Sequence, residues 1–315
     1  MKHIVIYFTF LSFLLCYGCS KETSNPIGSN NSAVWTKVNF NLTDTTVSAF
    51  ATNATSIFAG TTGGGVFRST DNGESWSAVS NGLTYGYVNT LTYSGTNLFA
   101  ATWAGIFLSS NNGKSWTPVN TGLTNTYVWS VTISGENLLA GTWAGVFLST
   151  DNGQNWSQVN SGLTDTIVTA FAVSRPHIFA GTLGGSVFHS TNDGTSWMAV
   201  NSGLPANTAV RSLVVSGTYL FAGIDDYGVF LSTNDGLSWN GSLTGLKYHV
   251  VRAITVVGSN VYAGTDIGVF QSTDKGSTWS GVDSTLPPYT FINALVVYNE
   301  TLFAGTQYGI WKKPI

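Results

Sequence analysis

Ser69-Thr70-Asp71-Asn72-Gly73-Glu74-Ser75-Trp76 is the stretch from which the fold can be read. Its pattern, Ser-x-Asp-x-Gly-x-x-Trp, returns from Ser109, Ser149, Ser190, Ser232 and Ser272. Asp71, Asp151 and Asp274 fill the third place in three copies, and Asn111, Asn192 and Asn234 fill it in the others. The glycines are Gly73, Gly113, Gly153, Gly194, Gly236 and Gly276. The tryptophans are Trp76, Trp116, Trp156, Trp197, Trp239 and Trp279, preceded in phase by Trp35. Successive tryptophans are 41, 40, 40, 41, 42 and 40 residues apart. A second signature precedes each motif: Phe58-Ala59-Gly60, then Gly65-Val66-Phe67. It closes the chain as Phe303-Ala304-Gly305 with Gly309-Ile310-Trp311.

A period near forty residues is the mark of a repeat architecture. Each unit reads as four short strands separated by Gly, Asn, Ser and Thr. Val88 to Tyr93 typifies strand A, Leu98 to Thr102 strand B, Gly105 to Ser109 strand C, and Trp116 to Asn120 strand D. One blade cannot bury both its faces, so it must stack on neighbours. The expectation is an all-β fold: one seven-bladed propeller of four-stranded antiparallel blades. Seven A-B-C sets begin at Val47, Val88, Val128, Val168, Val210, Val251 and Ile292. The chain starts with a lone D strand at Trp35 and ends after a C strand at Trp311. The first strand must then complete the last blade, which removes the open edges of the array.

In the repeated motif, the Asp carboxylate is placed to accept backbone N–H groups of a C-to-D turn, as Asx residues do. The Gly supplies φ > 0, and the Trp packs between blades. Asn accepts the same bonds as Asp, an exchange that a catalytic acid or a metal ligand would not tolerate. The motif therefore reads as structural.

The motif resembles the Asp-box, or BNR, repeat, over roughly residues 34–315. Sialidases, family 74 xyloglucanases, sortilin-type receptors and photosystem II assembly factors carry such repeats. The resemblance implies the fold but not an activity, because the motif occurs on enzymes and on pure binders. Sialidases imply an Arg triad and a Tyr–Glu pair. Of the four Arg here, Arg68 falls on a C strand and Arg175 on an A-to-B turn, so only Arg211 and Arg252 reach the other face. Glu74, Glu136 and Glu300 fall on turns of the Asp-box face.

Strand order puts A-to-B and C-to-D turns on one face, here the bottom, and B-to-C and D-to-A loops on the top. The top loops are where the repeats differ, so function is expected there. Two candidate clusters result. The first is aromatic: Trp103, Trp129 and Trp143 with Tyr85, Tyr87 and Tyr127, suited to stacking a sugar or an extended peptide; packing of Trp103 and Trp143 against adjacent blades or in the channel is the alternative. The second is charged. Arg211 and Arg252 begin adjacent blades, with Asp225, Asp226 and Asp266 on the same blades and Tyr248 and His249 between. Arg can clamp a carboxylate or phosphate; a local ion-pair network is the alternative.

The first residues lie outside this pattern. Lys2 and His3, the apolar run Ile4 to Leu15, and Gly18 before Cys19 read as a secretory signal over 1–18. Leu15-Cys16-Tyr17-Gly18-Cys19 resembles a bacterial lipobox, with Cys16 where Leu is usual, and implies lipidation at Cys19. Residues 19–33 read as a flexible tether and 34–315 as the propeller. An exported, membrane-anchored lipoprotein at the periplasm or cell surface is expected, touching the membrane through its lipid only. With a formal charge of −3 and 12 Lys+Arg, the composition gives no electrostatic ground for nucleic-acid binding. No ligand spacing for a metal and no cofactor motif is present.

The leading expectation is a binding or scaffold module for a glycan, peptide or protein. Glycoside hydrolysis is the alternative: it needs two carboxylates roughly 5–10 Å apart, which Asp225, Asp226 and Asp266 are candidates to supply. A third reading, an assembly factor for a membrane complex, follows from the photosystem II resemblance alone.

Overall fold

The structure is a computed structural model that describes residues 34–242, 244–246, 250–282 and 285–315. The described residues form seven four-stranded antiparallel sheets and no helix. In the first blade, strands A to D are Val47–Asn53, Ser56–Thr61, Val66–Ser69 and Ser77–Ala78. Neighbouring A strands pack on one another all round, and the last, Ile292–Tyr298, packs on the first, so the seven blades form a closed ring.

Burial explains why each strand has its sequence. Strand B is covered on both faces by adjacent blades, and every residue from Ser56 to Thr61 is buried. Its Ala and Gly let the next blade approach: a Cβ on Gly60 would sit 2.7 Å from Val88 Cγ1 of blade two. Seven apolar clusters fill the seams between blades, and Phe58, Phe99, Phe147, Phe179, Phe221 and Phe303 are each buried within one. Burial of this kind stabilises by about 25 cal/mol per Å² of apolar surface.

Strand D differs from expectation. Trp116 to Asn120 pairs over Thr117–Pro118 only. The reason is a side chain that takes over from the ladder. Ile106 N–H, instead of meeting another backbone carbonyl, donates to Asn120 Oδ1 at 2.7 Å. Ser80, Asn160, Asn201 and Asn39 do the same for Val66, Val146, Val187 and Ile310. The chain then leaves the blade for the next one.

The ring closes as the repeat count requires. Thr36 and Lys37 pair antiparallel with Lys312 and Trp311, so the last blade has strands from both ends of the chain. Val38 N–H donates to Ile310 O, and Trp76 Nε1–H donates to Val38 O at 2.9 Å. That indole bond recurs at Trp116, Trp156, Trp197 and Trp239, each reaching the preceding blade's D segment. Trp279 departs, donating to Gly276 O of its own turn.

Candidate functional site

Every A strand carries a β-bulge at its second residue: the register to strand B slips between Val47 and Ala49, and at the six equivalent places. A bulge frees one side chain from the ladder and re-aims it. The freed residues are Ser48, Asn89, Trp129, Thr169, Arg211, Arg252 and Asn293, so seven side chains are placed alike around one end of the channel. The channel holds a cavity of about 400 Å³, lined in part by Ser48, Asn89, Ser212, Arg252 and Ala294.

Four of the seven stitch the ring. Ser48 Oγ donates to Val88 O of the next A strand at 2.5 Å, Asn89 Nδ2 to Val128 O at 2.7 Å, Thr169 Oγ1 to Val210 O at 2.6 Å, and Asn293 Nδ2 to Val47 O at 3.1 Å. Trp129, Arg211 and Arg252 abandon that bond. They are the members of this set that sequence pattern places in the aromatic and charged clusters.

The aromatic cluster is assembled. Tyr87 and Trp103 stack at 4.6 Å with planes 16° apart. Trp103 meets Trp129 edge to face at 6.3 Å, and Tyr127 at 6.5 Å. Tyr127 meets Trp143 at 5.6 Å. Trp143 and Tyr127 are 49% and 50% exposed, and Tyr85 is 37% exposed on the loop that delivers Tyr87. Local sequence does this: the loop entering blade two bridges Tyr87 to Thr62, and Trp143 N–H donates to Tyr127 O. Burial, then the neighbouring Tyr85, pushes the Tyr87 phenol up. The indole N–H groups of Trp103 and Trp129 are buried without a hydrogen-bond partner from the protein. The carboxylates at the flanks of the cluster are Asp44, which accepts Gly64 N–H at 2.7 Å beside the Thr62–Tyr87 bridge, and Asp165, whose neighbour Thr166 donates to Trp143 O. Between Glu74 and Asp151 the chain has two charged residues, Lys114 and Glu136, both on bottom turns.

The charged cluster is a pair of ion pairs. Arg211 donates from Nε and Nη2 to Asp225 Oδ2 at 2.9 and 2.7 Å. Arg252 Nε donates to Asp266 Oδ1 at 2.8 Å, and its guanidinium lies 6.0 Å from the Phe291 ring. Each Asp stands 14 residues after its Arg, across the A-to-B hairpin. These contacts tie each A strand to the B-to-C loop of its own blade, and they occupy two carboxylates considered for hydrolysis. Asp226 follows in the left-handed region at φ 65°. Tyr248, His249 and Cys19 lie outside the described residues, as do 1–33. Among the described residues, no three His, Cys, Asp or Glu converge on one point.

Blade seven adds exposed aromatics on its top loops, outside both clusters. Tyr289, Phe291 and Tyr308 are 72%, 42% and 48% exposed, and Gln307 ties the first two together through Tyr289 O and Phe291 N–H. Gln307 follows strand B of blade seven as Trp103 follows that of blade two.

The Asp-box hairpins sit on the opposite face. Asp71 Oδ1 accepts from Ser75 N–H at 3.0 Å and from Ser69 Oγ at 2.7 Å, while Ser69 Oγ accepts Gly73 N–H. Gly73 has φ 83°. Bonds from Ser75, outweighing burial, hold the Asp71 carboxyl at about 2. Thr278 does so for Asp274, also to about 2, and Asn155 lowers Asp151. Where Asn stands instead, the side-chain bond reverses: Asn111 Nδ2 donates to Ser115 Oγ, whereas Ser75 Oγ donates to Asp71 Oδ2. Asn192 and Asn234 repeat this toward Ser196 and Ser238.

Comparison with known proteins agrees with this architecture. Residues 67–78 and 147–158 match the BNR/Asp-box repeat, and residues 172–306 match the DUF6242 beta propeller domain. No curated protein matches the sequence. Among solved structures, the extracellular domain of a one-component system from B. thetaiotaomicron superposes with TM-score 0.75 at 16% identity over 88% of this chain. The match spans 39% of that chain's length. YCF48 from Cyanidioschyzon merolae gives TM-score 0.69 at 13% identity, covering 89% of this chain and 98% of that one. A GH74 xyloglucanase from Xanthomonas campestris gives 0.66 at 16%, covering 89% and 53%. At these identities the likeness is one of fold.

Proposed function

We propose that this seven-bladed Asp-box propeller is an exported binding module that holds a neutral glycan chain on the top of blades two and three. The observation that carries this is the continuous aromatic surface of Tyr87, Trp103, Trp129, Tyr127 and Trp143, with no cationic side chain on the top loops that bear it. Exposed rings supply apolar faces against which sugar rings stack. With no cation on these loops and the carboxylates of Asp44 and Asp165 at the flanks, the surface offers nothing to pair with an anionic ligand, so it suits an uncharged one. The ion-paired Asp225 and Asp266 support binding over hydrolysis. The signal-like segment 1–18 and a lipidated Cys19 complete the proposal, setting the module on the outside of a membrane.

The test is retention on neutral polysaccharides in affinity electrophoresis. The variant Tyr127→Ala/Trp143→Ala removes the two most exposed rings and should lose retention with melting nearly unchanged. Adding Trp103→Ala and Trp129→Ala should abolish it. Retention that survives both variants sinks the proposal. Capture of extended peptides instead replaces the ligand class, and sugar release lost on Asp225→Asn or Asp266→Asn replaces binding by hydrolysis.

A further inference from the structure

The seam between blades four and five holds a pair of titratable groups with no equivalent elsewhere in the ring. His177 opens strand B of blade four, and His189 lies on its strand C, Val187–Ser190. At the two matching positions blades two and three have Asn97 with Leu108 and Asn137 with Leu148. Blade five has Tyr219 with Leu231, and blade six Asn260 with Gln271. Six of the seven blades manage without this pair, so the fold does not require it.

The geometry is that of a single N–H···N bond. His177 Nδ1 and His189 Nε2 are 2.8 Å apart, with ring planes 10° apart and centroids at 4.9 Å. His189 is 8% exposed and lies flat on Phe179, centroids 4.6 Å apart. Phe179 belongs to the apolar cluster that joins blade four to Val210, Leu213 and Leu220 of blade five. The pair therefore sits on a load of packing that holds two blades together.

Such a bond has one donor and one acceptor. It survives with neither ring charged, and with one ring charged and donating. It does not survive two protons, because both facing nitrogens then donate and two positive charges adjoin. The adjoining cavity, lined by His177, Phe179, Tyr219 and Asp235, holds about 20 Å³, room for roughly one water molecule. The other charged or titratable groups facing the pair are few. Asp235 comes from blade five's Asp-box turn. Tyr219 is on blade five, and its hydroxyl accepts from Lys275 Nζ at 2.6 Å. Arg175, two residues before His177, is paired with Asp193 at 3.2 Å.

We propose that His177 and His189 form an acid-sensitive latch on the seam between blades four and five. Above the ordinary histidine range the bond is intact. As pH falls, the second proton breaks it and the seam loosens, while the other six seams keep their contacts. Burial, followed by the neighbouring His177, holds the His189 imidazole below its ordinary value, against an opposing pull from Asp235. The sign agrees: a histidine lowered on folding contributes stability that is complete above its unfolded value of about 6.5 and is lost as pH falls below it. The latch is independent of the aromatic surface of blades two and three.

The experiment measures melting of the full chain at pH 7.5 and pH 5, together with amide hydrogen exchange at both. The variants take residues from other blades: His177→Asn/His189→Leu and His177→Asn/His189→Gln. The wild type should lose several degrees more on acidification than either variant. Its exchange should rise in the strands of blade four and in 215–220 of blade five, ahead of the rest of the ring. An equal loss in both variants overturns the latch. So does an exchange increase spread evenly over the ring, or centred on His249, and that readout decides even if one variant fails to fold.

Discussion

On the Asp-box face six hairpins close with the same bonds, whereas at the channel mouth the seven bulged positions carry five kinds of residue. Both sets are strictly repeated in backbone terms. The difference lies in what each side chain must do. At the box, Ser Oγ, Asp or Asn Oδ1 and a glycine at positive φ satisfy a turn that nothing else would satisfy, so the composition is fixed. At the mouth, the bulge has already released the side chain from the ladder. Only a stitch to the next blade is asked of it, and three of seven blades dispense with that. The ring can spend those positions on aromatics and ion pairs because the Trp-to-backbone bonds and apolar seams beneath them hold the blades.

If that division is right, damage on the bottom and at the closure costs fold, while damage on top costs ligand. Removing residues 34–40 tests it most severely. The deletion opens a sheet edge at Lys312 and Trp311, deprives Trp76 Nε1–H of Val38 O, and takes Asn39 from Ile310 N–H and Tyr308 O. Cooperative melting should vanish and the protein should aggregate through the freed edge. A truncated chain with unchanged melting would refute closure by the first strand.

The same comparison can be made with one residue type. Trp76 is 1% exposed and Trp143 is 49% exposed. Trp76→Ala empties a seam and orphans a carbonyl, and should cost about 3–5 kcal/mol. Trp143→Ala should cost within about 0.5 kcal/mol while weakening glycan retention. Chemical denaturation of the two variants measures both, and equal costs would erase the distinction between the faces.

How much of this was legible in the sequence follows from the same physics. The strands, the closure and the Asp-box bonds were, because each rests on local chemistry repeated in phase: Asp71 and Asn111 mark the same turn, and Trp35 without a preceding A-B-C set demands a partner at the other end. The aromatic cluster was legible as a set, since Trp103, Trp129 and Trp143 are the tryptophans outside the repeat's own positions and outside Trp311. The bulges were not, because Ser48, Asn89 and Arg211 look alike in periodicity to any strand residue, and only pairing shows that Val47 and Ala49 have consecutive partners. Nor was the outcome of Arg211 with Asp225: fourteen residues separate them, and reach across a hairpin depends on its register. The shortened D strands escaped too, because an Asn120 side chain standing in for a backbone carbonyl leaves no trace in a hydrophobic pattern.

The smallest expected effect probes the box itself. In Asp71→Asn/Asp151→Asn/Asp274→Asn every box becomes like those of Asn111, Asn192 and Asn234. Ser75 and Thr278 need only turn their hydroxyls to accept rather than donate, and Asn155, which donates to Asp151 Oδ2 at 2.8 Å, need only flip its amide. Melting at pH 7 should hardly move. In acid the two proteins should part. The carboxyls of Asp71 and Asp274 are held at about 2 against an ordinary 3.8, so their contribution is complete above the ordinary value and is lost as pH falls through about 2. The amides have nothing to lose in that window, so the variant should melt higher than the wild type at pH 2 while matching it at pH 7. Superimposable acid profiles would mean that the box carboxylates carry no stability through their charge. A variant much weaker at pH 7 would mean that Asp and Asn are not interchangeable in the hairpin, and that the Asp boxes hold something more than a turn.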